Sequence, residues 1–426
     1  MKRVINTSGA VFLGLGSIIG TGIFVSVGLA IGISGYLIFP AILIAAFIAL
    51  FNGLSSARLA ATFPVSGGTY EYAYQTLNPR LGFTAGWTFF AAKTASAATA
   101  ALGFSGYLGW VFGYQDKWII SLVAFFSVIA ITALVSAGIK RSDIANRIIV
   151  GFTLFVLFIF SLTGILYSGN NGSVFSANSF SIDLNSYGIH GVFHAAAMMF
   201  VAFTGYGRIA TLGEEVRNPS KTIPRAVVLT LLFTMFIYMI VTYAALGLAD
   251  AETLSEAAIK QASTLYAAST FIPLNAVSYL VIIGGATAML GVLLNLVLGI
   301  SRVVLAAARR NDMPEIFSKI NANNGSPVNS VWLTGSVIAL ICLFGDLYTT
   351  WSFSAFTVLL YYSITNLSAI RLTREQRKMP LIIPFVGFIG CLSLAFWVDP
   401  YIWITGIIFV FIGLAYQFTY QKLAPS

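Results

Sequence analysis

The chain has 426 residues, of which 58% are hydrophobic and 9% charged, with a formal net charge of +9. Soluble domains are about a quarter charged, so this composition, with a mean hydropathy of +0.89, excludes a large soluble core and indicates an integral membrane protein. The basic surplus suits an anionic lipid surface, and nucleic-acid binding need not be invoked.

At about 20 apolar residues per span, the length accommodates about twelve helices with short loops. Hydropathy places them near 9–33, 36–61, 82–112, 118–138, 145–168, 188–213, 225–249, 271–307, 329–346, 348–370, 381–397 and 400–420. Lys2 and Arg3 precede an apolar run that continues without a small-residue cleavage site, so an uncleaved first span is expected. No soluble domain, low-complexity tract or long linker is legible between the spans. The two cysteines, Cys342 and Cys391, sit in apolar runs without CxxC spacing and read as buried small hydrophobes.

The first span is dense in glycine between Gly14 and Gly28. Glycine weakens a helix interior, and in lipid a freed backbone group is costly unless something satisfies it. Keeping Gly20, Thr21 and Gly22 at mid-membrane depth therefore suggests that their backbone groups face a cavity, as in the broken helices of secondary transporters. Close helix packing through small residues is the alternative.

In the third span, Lys93 lies among apolar residues near the middle, too deep to reach the interface easily. An intramembrane ammonium needs a partner or a polar cavity. It reads as a proton-carrying group or a fixed cation beside the transport path; a structural ammonium bonded to unwound carbonyls is the other reading.

The sixth span carries a second break, with Gly205 and Gly207 flanking Tyr206. Two interrupted helices in corresponding halves are the strongest sequence pointer to an inverted repeat and its binding site. His190 and His194, near the outer end, have i, i+4 spacing, but two ligands without a third are weak evidence for a metal. Arg208 either tunes the gate or pairs with Glu214 or Glu215. Behind it, Pro219 and Pro224 are expected to end one helix and start the next. Asn52, Asn295 and Asn366 read as interhelical hydrogen-bonding residues.

Basic residues give the orientation. Lys2, Arg3, Arg58, Arg80, Lys140, Arg141, Arg147, Arg217, Lys221, Arg225, Arg302, Arg309, Arg310, Lys319, Arg371, Arg374, Arg377, Lys378 and Lys422 fall on one side, and only Lys117 and Lys260 on the other. The positive-inside rule then expects both termini in the cytoplasm.

Four stretches together resemble the amino acid–polyamine–organocation (APC) superfamily of transporters, in particular its bacterial amino acid permeases. They are Gly16 to Phe24, Phe63 to Tyr72, Phe203 through Pro219, and Ser301-Arg302 through Asp312-Met313-Pro314. Their order along the chain is more specific than any single motif.

The resemblance implies an all-α polytopic membrane protein with broken helices 1 and 6. Five helices over 1–168 would be repeated upside down over 188–370, followed by two additional helices over 381–420. It also implies that the substrate carboxylate sits on amides of the first break, here Thr21 and Gly22 beside Gly20, with the Thr21 hydroxyl as a further donor. Such a half-helix N-terminus favours an anion. The substrate ammonium would meet the carbonyls of Ile18, Ile19, Val201 and Thr204. Val201, Phe203 and Tyr206, around Gly205, would meet its side chain.

This chain departs from the family in places. Where some arginine- and polyamine-handling relatives have an acidic residue after the sixth-span break, it has Gly207, and no acidic residue lies in the apolar core of a span. A doubly cationic substrate would lack a counter-charge. The fifth-span lysine of some proton-coupled relatives is replaced by apolar residues and Thr153. The eighth-span hydroxyl pair of sodium-dependent relatives has no clear match in 290–299.

The expected function is secondary active transport of amino acids, neutral ones by this reading, across the cytoplasmic membrane by alternating access. Symport with protons is the expected coupling, through Lys93, and sodium remains open. No cofactor, metal or covalent chemistry is expected, since the sequence shows no nucleophile–base pair or metal cluster, and the glycine motif lacks the lysine of a phosphate loop after Gly22. Alternatives are an amino acid or polyamine exchanger and a non-transporting amino acid sensor; a channel should show rings of polar residues. The expected partners are the amino acid and the bilayer, and oligomeric state is not legible.

Overall fold

Hydrocarbon offers no hydrogen bonds to the backbone, so an apolar sequence of this kind must satisfy its peptide groups internally. A computed structural model describes residues 6–63, 67–138, 143–168, 177–210, 216, 218–261, 263–321 and 325–423, and every element among them is helical.

The first span is broken. Asn6 caps α1 (Thr7–Ile18), accepting from the Gly9 amide at 2.9 Å. Ile19 leaves the helix at φ −80°, ψ 108°. The chain resumes in a π turn, Gly22–Ser26, and α2 (Val27–Ser34). Gly35, at φ 53°, turns it into α3 (Ile38–Thr62), a backbone geometry natural to glycine.

A short α4 (Thr69–Thr76) precedes α5 (Pro79–Phe112), α6 (Lys117–Ser136) and α7 (Asp143–Ser168). The sixth span runs along α8 (Ala177–Phe203) from its kink at Gly188 (φ 59°), through a 3-10 turn, Thr204–Tyr206, into α9 (Gly207–Ala210). Then come α10 (Pro219–Leu248), α11 (Ala251–Gln261), α12 (Thr264–Ser269), α13 (Asn275–Arg309), α14 (Val328–Phe344), α15 (Leu347–Ile370), α16 (Arg374–Arg377), α17 (Ile382–Ala395) and α18 (Pro400–Leu423).

Each expected span has its helix or broken helix. Among the described residues, eight segments are long and apolar enough to cross a membrane, and α1, α14 and α17 are shorter apolar helices. The protein is a polytopic, all-helical membrane protein. Pro224 departs from expectation: it lies inside α10, which already begins at Pro219. Near a helix start the first amides have no intrahelical partner, so Pro219 costs nothing at N1. Pro224, a turn further in, forfeits a single bond.

The small-residue helix α5 runs through the middle, packed against α13 and α15. Hydroxyls stitch it to α15: Ser96 to Ser354 at 2.7 Å, Thr99 to Thr350 at 2.8 Å, and Ser354 to the Ala92 carbonyl at 2.9 Å. Asn366 donates to the Asn52 carbonyl oxygen, tying α15 to α3, while Asn52 donates to Cys391 Sγ at 3.0 Å. Those two asparagines are thus interhelical as expected; the Asn295 carbonyl oxygen has no partner among the described residues. Phe126, Phe158 and Phe411 are exposed on outer faces, where lipid is the solvent.

Candidate functional site

The two breaks meet. A Cβ on Gly205 would collide with the Ser17 carbonyl and lie 2.6 Å from Ile18 Cγ1, so the second break packs on the first with no room for a side chain. Gly20 faces α13, where a Cβ would stand 3.2 Å from the Ala288 carbonyl. Gly22 faces Ala202 of α8 and the hydroxyl of Tyr238 on α10. Glycine at these three positions therefore permits close approach of backbones.

At the first break the ladder shifts: the amides of Ile23 and Phe24 both donate to the Gly20 carbonyl at 3.1 Å. Thr21 is 3% exposed, and its hydroxyl has no hydrogen-bond partner among the described residues. A buried hydroxyl usually has one. Of the carbonyls expected to meet an ammonium, Ile18 accepts from Tyr238 Oη at 3.3 Å, Val201 from Thr204 Oγ1 at 2.8 Å and Thr204 from Tyr362 Oη at 3.2 Å. Thr204 also accepts from the Gly207 amide.

Lys93 comes to the same place. Its ammonium donates to Thr204 Oγ1 at 3.0 Å, and that hydroxyl donates onward to the Val201 carbonyl. The partner is thus a side-chain hydroxyl of the second break, with the Val201 carbonyl, in the last turn of α8, one step beyond. Phe203 and Tyr206 are fully buried, their rings against Tyr238 (5.2 Å) and Tyr362 (5.4 Å).

Tyr238 and Tyr362 escaped the sequence reading because hydropathy does not tell which aromatic of a span faces a neighbouring break. A second cluster escaped it too. Tyr70 of α4 donates to Asp312 Oδ2 at 2.6 Å and Tyr74 donates to the same oxygen, while Arg310 pairs with Glu71 and lies 4.7 Å over the Tyr74 ring. Asp312 is 2% exposed. Burial, then the bond to Asp312, raises both tyrosines above their ordinary range. Glu71 raises Arg310. The signal was present: the second and fourth family stretches meet here.

His190 and His194 stand 5.9 Å apart ring to ring, and among the described residues no group of three potential ligands could hold a metal ion. Glu214 and Glu215, the expected partners of Arg208, lie outside the described residues.

A family model described as amino acid permease matches residues 5–425. An uncharacterized transporter of Mycobacterium tuberculosis is 37% identical over 398 residues, covering 93% of this chain and 86% of its own. The branched-chain amino acid permease BcaP of Bacillus subtilis is 27% identical over 450 residues, covering 99% and 94%. The methylthioribose transporter of the same organism is 26% identical over 448 residues, with the same coverage.

Proposed function

The chain belongs to the amino acid permease family, and on that premise we propose that it carries neutral amino acids across the cytoplasmic membrane by alternating access, with both termini cytoplasmic. The observation that supports this reading best is the pair of buried breaks held together at Gly205, with the unpartnered Thr21 hydroxyl beside them. In this reading residues 1–168 and 188–370 form inverted repeats, so the two breaks are equivalent features of the two halves.

Amides at Thr21 and Gly22, with the Thr21 hydroxyl, take the substrate carboxylate at the start of a half-helix. The carbonyls of Ile18, Ile19, Val201 and Thr204 take the ammonium. Around Gly205, Val201, Phe203 and Tyr206 form the wall for an apolar side chain. Lys93 is the coupling group. Its bond runs through Thr204 to the Val201 carbonyl, so a change in its charge polarises an acceptor for the substrate.

The relatives' names leave a second ligand class to test, a neutral thiosugar, because one of them is a methylthioribose transporter. The decisive experiment is uptake into proteoliposomes with labelled neutral, cationic and acidic amino acids and methylthioribose, with and without proton and sodium gradients. Saturable uptake of neutral amino acids driven by a proton gradient is expected. Uptake confined to methylthioribose or to cationic amino acids would refute this reading.

A further inference from the structure

Tyr238 lies in none of the family stretches, yet its hydroxyl reaches both breaks. It is fully buried on α10, with Oη 3.3 Å from the Ile18 carbonyl and 3.1 Å from the Ala202 carbonyl. The first carbonyl ends α1; the second lies in the last turn of α8. Carbonyls at such positions lack intrahelical partners and take their bonds elsewhere. The ring is held beside Phe203, centroids 5.2 Å apart, and the Gly22 backbone closes over the hydroxyl, since a Cβ there would strike Oη.

A phenol has one proton to donate. It cannot serve two carbonyls fully, so the bridge is shared between them. An ammonium arriving at Ile18 would bring a charge-assisted bond, about twice as strong as a neutral one. Resting on the reading that the Ile18 carbonyl receives the substrate ammonium, we infer that the Tyr238 hydroxyl is a displaceable donor. It serves Ile18 until the ammonium takes that carbonyl, and then serves Ala202 alone. Loading thereby unties α10 from α1 while α10 stays bonded to α8, which changes the link between the two breaks. Tyr238 is a positioning residue in this scheme.

Tyr238→Phe removes the competing donor and keeps the ring on Phe203; Tyr238→Leu, also without a donor, is the second variant. The full-length proteins are compared in lipid nanodiscs for binding, and in proteoliposomes for KM and Vmax. The probes are a neutral amino acid taken up by the wild type and the corresponding 2-hydroxy acid, which lacks the ammonium. Expected is about five-fold tighter binding and a lower KM for the amino acid, a lower Vmax, and no gain for the 2-hydroxy acid. Unchanged or weaker amino acid binding in folded variants would overturn the inference, as would an equal gain for both ligands. Failure of the wild type to bind any amino acid would instead overturn the functional reading on which the inference rests.

Discussion

Gly205 presses on the carbonyl of Ser17, so the turn that interrupts the sixth span is built directly onto the end of α1. The two nearest atoms belong to the Ser17 backbone and cannot swing aside. Gly205→Ala therefore overpacks a junction between two spans, at about 1–3 kcal/mol. Its thermal midpoint should fall in detergent, whereas Gly299→Ala, inside α13 where a Cβ meets nothing within 4 Å, should not lower it. Equal midpoints for both variants would mean that the breaks do not pack as described.

Lys93 offers a test of coupling. If its ammonium exchanges a proton during the cycle, uptake should vary with pH, and Lys93→Ala should flatten that dependence while some substrate binding survives. Lys93→Arg should transport poorly, because a guanidinium does not deprotonate in the accessible range. The measurement is proteoliposome uptake across a pH series for the three proteins. An unchanged profile in well-folded Lys93→Ala would leave Lys93 a structural donor to Thr204.

Asp312 receives two phenol protons on one oxygen. Asp312→Asn removes the charge that strengthens both bonds, and hydrogen bonds to charged groups are worth about 1.5–3 kcal/mol. The thermal midpoint should drop, and the loss should be non-additive with Tyr70→Phe and Tyr74→Phe, because all three act on one contact. Additive losses would show that the tyrosines and Asp312 act separately.

The same tyrosines set a pH dependence of stability. Burial and the Asp312 bond raise their folded-state values above the ordinary tyrosine value of about 10. An unfolded chain ionises them near that pH while the folded one keeps them protonated, so their contribution is intact below it and is lost as pH rises further. Between about pH 9 and 11 the wild-type midpoint should fall more steeply than that of the Tyr70→Phe/Tyr74→Phe double variant. Parallel slopes would argue against a raised value at this contact.

Much of this was legible in the chain because it is local. The glycine runs around Gly20 and Gly205 mark both breaks, and the apolar runs mark the spans to within a few residues. The place of Pro224 inside α10 is not legible, because an interior proline leaves no mark in hydropathy and its lost bond is outweighed by packing that only the fold reveals. The contacts of Lys93 with Thr204, Tyr238 with Ile18 and Tyr70 with Asp312 join residues more than a hundred positions apart. They depend on which face each helix turns inward, and the nearly uniform apolarity of the spans does not encode that face.

The most direct test is substrate binding by Thr21→Val, a near-isosteric change that removes only the unpartnered hydroxyl at the first break. The wild type should bind a neutral amino acid saturably in nanodiscs. Thr21→Val, equally well folded, should bind about tenfold more weakly or worse, as loss of a hydrogen bond to a carboxylate requires. Equal affinities in the two proteins would contradict the placement of the carboxylate, and with it the claim that the paired breaks form the binding site.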